Sequence, residues 1–69
     1  MYIVYGIERH GYIITEVFLK DKKNIMDRVM YVANIRDVMK IEVKEIIIDE
    51  DDEDYSEIIM TIDVSYFKK

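Results

Sequence analysis

The apolar positions of this chain change their period twice. Over residues 2–8 and 12–20, β-branched and aromatic side chains dominate and fall on both sides of an alternating pattern. Ile3, Tyr5 and Ile7 oppose Tyr2 and Val4 in the first segment; Ile13, Val17 and Leu19 oppose Tyr12, Ile14 and Phe18 in the second. Arg9-His10-Gly11 separates them, and glycine supplies the positive φ of a tight hairpin turn. The pattern predicts a hairpin whose strands need cover on both faces.

Asp21-Lys22-Lys23-Asn24 then breaks the alternation. Either Asp21 or Asn24 can cap a helix, because a short side-chain oxygen accepts from free N–H groups of the first turn. Ile25, Val29, Val32 and Arg36 follow helical spacing, with Met26, Met30 and Ala33 widening the stripe. Asn34 is suited to the left-handed conformation that ends helices. The expectation is one helix of about three turns over residues 24–34, with its methionines as core filler.

From Val38 the period returns to two. Met39, Ile41 and Val43 face one way and Lys40, Glu42 and Lys44 the other, and the phase blurs at Glu45–Ile48, as a bulge or a second buried face would produce. Ile58, Met60, Ile62, Val64 and Tyr66 then alternate with Glu57, Ile59, Thr61, Asp63 and Ser65. The order strand, strand, helix, strand, strand (ββαββ) over residues 1–69 implies a single α+β domain: a small antiparallel sheet with one short helix packed on one face. Such a helix covers one face only, so the surplus apolar surface of the hairpin needs a partner. A homodimer is the commonest supply, with Tyr12, Ile14 and Phe18 as the self-association residues. The competing solution is a sheet that curls into a small barrel and covers itself.

Charge changes this picture at one place. The net charge is -5, yet Asp49, Glu50, Asp51, Asp52, Glu53 and Asp54 stand consecutively between the last two strands, leaving ten Lys/Arg against nine Asp/Glu elsewhere. The chain is near neutral with one dense anionic tip. Composition bounds the rest. Apolar residues make up 51% of only 69 residues, with no cysteine and one histidine, so disulfides, thiolate zinc sites and histidine-rich metal sites are excluded. The first residues lack the pattern of a secretory leader, and no run approaches the roughly 18 apolar residues of a membrane span. A cytoplasmic protein without a membrane role is the default.

Little catalytic chemistry is encoded. Ser56, Ser65, Thr15 or Thr61 would have to find His10, which belongs to a hairpin turn. With only Gly6 and Gly11 there is no phosphate loop. The acid run begins like a calcium loop at Asp49, Asp51 and Glu53, but Asp54 stands where the turn glycine belongs and Met60 where the bidentate glutamate belongs. No metal and no cofactor are expected, and the chain reads as a non-enzyme. Lys20, Lys22, Lys23 and Arg28 form too modest a basic cluster for direct nucleic-acid binding beside an acid tip that repels phosphate.

The remaining role for six adjacent carboxylates is to engage a basic surface. Their spacing imitates nucleic-acid phosphates, roughly one negative charge per 1.7 Å of duplex. The preferred reading is a protein-binding module in the manner of phage- or plasmid-encoded (viral) inhibitors, occluding a basic nucleic-acid-binding enzyme or regulator. Asp49–Asp54 supply the charge and Tyr55 an adjacent apolar anchor. The alternative is a homo-oligomeric structural or regulatory protein that works through its apolar sheet face, the acids serving solubility alone.

Overall fold

The computed structural model describes residues 1–47 and 55–68. They form four strands, β1 (Tyr2–Glu8), β2 (Ile13–Leu19), β3 (Val38–Ile47) and β4 (Tyr55–Asp63), with a helix, α1 (Ile25–Ala33), between β2 and β3. Short 3-10 turns precede the helix at Lys22–Asn24 and follow β4 at Ser65–Phe67. The architecture is α+β: a four-stranded antiparallel sheet in the order β2-β1-β3-β4. Its edges, β2 and β4, are not paired with each other, so the sheet stays open rather than closing into a barrel.

This order dictates where the helix lies. β2 and β3 are both antiparallel to β1 and flank it, so they run parallel to each other and the chain must cross over β1 between them. α1 makes that crossover and packs on β1 and β3. Ile25, Val29 and Val32 of α1 meet Val4, Val38, Ile41, Val43 and Val64 in one buried cluster. Val4, Val32, Val38, Ile41 and Val43 are fully enclosed, each worth about 1.5–3 kcal/mol of burial.

The hairpin forms where glycine places it. Gly11 has a φ of 96°. Its N–H donates to the Glu8 carbonyl at 3.0 Å, and the Glu8 carboxylate accepts from the N–H groups of His10 and Tyr12 at 2.6 and 3.1 Å. The helix departs from expectation at its ends. Neither Asp21 nor Asn24 makes a side-chain cap; the 3-10 turn winds the chain into α1 instead. Asn34 is right-handed at φ -80°, and its N–H tightens the last turn by donating to the Met30 and Tyr31 carbonyls at 3.2 Å. Met26 and Met30 face solvent and are not core filler. The helix is narrow enough in its contact that Ile25, Val29 and Val32 suffice.

Gly6 is the tightest point. A Cβ there would stand 2.5 Å from Thr15 Cγ2, 2.7 Å from Val38 Cγ2 and 2.9 Å from Val32 Cγ1. The last two belong to the innermost core, so neither can yield cheaply. Gly6→Ala is expected to destabilise the fold by about 1–3 kcal/mol, as overpacking does. Gly11→Ala, which meets open space but keeps the positive φ, is expected to cost about 1 kcal/mol. Urea unfolding of the two variants measures the difference.

Candidate functional site

Register separates the residues of the two sheet faces. On the helix side, Val17, Val4, Val43 and Met60 form one cross-strand row, and Thr15, Gly6, Ile41 and Ile62 the next. The opposite face carries no helix. There the rows read Phe18, Ile3, Lys44, Ile58; then Glu16, Tyr5, Glu42, Thr61; then Ile13, Ile7, Lys40, Asp63. Ile3 and Ile7 are buried yet stand outside the helix-side cluster, so they are covered by their neighbours on this open face. Phe18, Ile58 and Ile13 remain 59%, 54% and 50% exposed. The Lys44 ammonium lies 5.1 Å from the centre of the Tyr5 ring, a cation–π distance. A shallow hollow of about 290 Å³ lies among Ile3, Tyr5, Ile46, Tyr55 and Ser56.

Two bulges decide this composition. Between the pairs Gly6–Thr15 and Ile7–Ile13 the extra residue is Ile14; between Val43–Met60 and Lys44–Ile58 it is Ile59. Each inserted residue flips the phase of the strand beyond it. Ile13 therefore joins Phe18, not Val17 and Leu19, on its side of the sheet. Ile58 leaves the face of Met60 and Ile62 in the same way. A third shift, at Met39, turns Val38 rather than Met39 into the core beside Ile41 and Val43.

Of the proposed self-association residues, Phe18 lies on the open face. Ile14 is the bulged residue and lines a hollow with Glu8, Arg9, His10, Asp37 and Met39, while Tyr12 lies outside β2 at the turn. All three are exposed. Tyr5 and Ile58 complete the open face, and only recognition of the bulges could have assigned Ile58. Tyr55 is half exposed at the end of β4 and paired with Ile47 of β3. Asp49, Glu50, Asp51, Asp52, Glu53 and Asp54 lie outside the described residues.

The strand ends that lead to those acids each carry a glutamate. Glu45 stands directly opposite Glu57, in the same row as Tyr2 and Leu19. Glu45 holds the Tyr2 hydroxyl in a hydrogen bond and, with partial burial and its own charge, raises that phenol's pKa. Like charges paired directly across strands are destabilising.

At the other end of the sheet, a hollow of about 690 Å³ has a mixed lining that includes Glu8, Arg9, Lys40, Glu42, Asp63 and Lys68. The Ser65 hydroxyl and N–H both donate to the Asp63 carboxylate, at 2.5 and 2.9 Å, and with Lys40 nearby they lower its pKa. Lys68 is committed elsewhere: its Nζ donates to the carbonyls of Ile35 and Val38 at 2.5 and 2.6 Å. Among the described residues no polar or charged side chain is buried, no group of three His, Asp or Glu could hold a metal ion, and no helix is long and apolar enough to cross a membrane.

Compared with family models, with curated proteins and with solved structures, the chain matches none of them.

Two outcomes test this end of the molecule. Lys68→Met is expected to cost about 1.5–3 kcal/mol, the worth of charged hydrogen bonds, because the Val38 and Ile35 carbonyls lose their shared donor. The depressed Asp63 pKa adds stability above the unfolded carboxylate value, about 3.9, which is lost as pH falls through the lower folded value. Asp63→Asn is therefore expected to flatten the acid limb of stability below about pH 4, as measured by urea titrations at stepped pH.

Proposed function

We propose that this chain is a non-enzymatic protein-binding module whose β3–β4 end occludes a basic, nucleic-acid-binding partner in the cytoplasm. The observation that carries this reading is the Glu45–Glu57 pair. The sheet accepts a like-charge contact at the approach to six further acids, at a cost to its own stability. β3 and β4 stay paired as far as Ile47 and Tyr55, so the seven residues 48–54 join the ends of adjacent strands. Negative charge collected at one end suits a basic groove; charge kept only for solubility would serve as well if scattered. Complementary charge speeds the encounter, and half-exposed Tyr55 supplies the apolar contact beside it.

A second reading is favoured by a separate observation, the exposed Phe18, Ile13 and Ile58 on the open face. There the protein is a homo-oligomeric structural or regulatory module and the acids serve solubility.

The test of the first reading is capture followed by competition. The native chain and a variant with Asp49–Asp54 changed to Asn or Gln are used as bait in a bacterial lysate. The expected result is a basic protein retained by the native chain alone, released between about 0.1 and 1 M salt as the Debye length falls from ~10 to ~3 Å, and displaced by the native chain from its nucleic acid. Equal capture by both baits, or capture without displacement, would refute it.

A further inference from the structure

We propose that the open sheet face is covered by a second copy of this chain, reversed about a two-fold axis that crosses the strands between Glu42 and Lys44. This inference rests on the second, sheet-face reading and is independent of the acid-end reading.

In the β3 stripe, Lys40, Glu42 and Lys44 project in sequence from the centre of the open face, reading plus, minus, plus. A two-fold axis in the plane of the interface and across the strands lays β3 on the partner's β3 in the opposite direction. Passing through Glu42, the axis would stack Glu42 on the partner's Glu42 and Lys40 on the partner's Lys44. Moved by half a row, it sets Lys44 against the partner's Glu42 and Glu42 against the partner's Lys44. Lys44 and Glu42 are self-complementary in that offset, as an isologous interface requires, and Lys40 falls opposite the partner's Ile46. The same offset lays Ile3 on the partner's Tyr5, Phe18 on the partner's Glu16 and Ile58 on the partner's Thr61, in the two rows beside the axis.

The Glu45–Glu57 pair chooses between this axis and its rival. An axis along the strands would place both β3–β4 ends side by side and bring the two pairs together. An axis across the strands sends them to opposite ends of the dimer. Area is sufficient: seven residues at ~3.3 Å by four strands at ~4.8 Å give roughly 450 Å² in projection, which side-chain relief raises toward the ~800 Å² per partner of a standard interface. The molecule is 15 Å in its shortest dimension, a sheet with one helical layer, and among the described residues no element covers the open side.

The experiment is a charge swap read by sedimentation velocity. The native chain is expected to be a dimer. Glu42→Lys makes the stripe wholly positive, and Lys40→Glu with Lys44→Glu makes it wholly negative. Each variant alone is expected to dimerise more than about tenfold more weakly, and an equimolar mixture to recover a dimer containing both. These side chains are exposed or half-buried, and far-UV circular dichroism checks each fold. A native chain that stays monomeric up to about 1 mM overturns the proposal, as does a mixture that fails to pair. If that monomer instead binds a foreign protein and loses it on Phe18→Asp, the sheet face is still a docking surface but a second copy is not its occupant. Capture of a basic protein through the acids would leave the first functional reading standing in either case.

Discussion

The constraint on which the rest of this structure depends is the absence of a side chain at Gly6. Val32 of the helix, Val38 at the start of β3 and Thr15 of β2 all converge on the space a Cβ would take. That convergence lets a helix of nine residues sit close enough to the central strands to enclose Val4, Ile41 and Val43 completely. Since β2 and β3 flank β1 in the same direction, the crossover has to pass over β1, and Gly6 is where β1 admits it. A chain of 69 residues has no second layer to make up for a looser contact.

The narrowness of that contact has a cost on both sides of the sandwich. Three buried helix residues leave Met26, Met30 and Tyr31 facing outward. The other face of the sheet receives no cover, although β1 places Ile3 and Ile7 there. Those two are sheltered by side chains in the same rows, Phe18 and Lys44 across from Ile3 and Ile13 and Lys40 across from Ile7. Long lysine stems laid over apolar neighbours are a familiar way to shelter such a surface from water. The Lys44 contact with Tyr5 is the clearest case.

How much of this was legible in the sequence depends on what the chain signals locally. The hairpin was legible because Gly11 must adopt its positive φ and lies between two apolar runs. The helix stripe was legible at Ile25, Val29 and Val32, because a period near 3.6 survives any tertiary detail. The faces of β2 and β4 were not. Strict alternation groups Ile14 with Phe18 and Ile58 with Met60, and a single inserted residue at Ile14 or Ile59 reverses half of each strand. Gly6 on the facing strand stands beside the first bulge, and neither glycine nor proline lies at the second. The helix exit misled for a related reason. Asn34 tolerates the left-handed region, but a tightened last turn satisfied the same carbonyls first. Of the candidate sites, the acid run was legible as composition, while the open face emerged only from register.

Register also joins the two candidate surfaces into one polarity. Along β3 the side chains of the open face run Lys40, Glu42, Lys44, alternating in sign, while the helix side of the same strand brings Glu45 opposite Glu57. Asp63, at the far end of β4, is held by Ser65 and lies near Lys40, so its charge is answered within the molecule. Glu45 and Glu57 are set against each other instead. Along one strand pair, a carboxylate beside Lys40 thus gives way to two carboxylates with no cation in their row, toward the six acids that follow Ile48 in sequence. On the reading proposed above, that gradient gives one end of the sheet to a basic partner, while the open face along β3 alternates in sign.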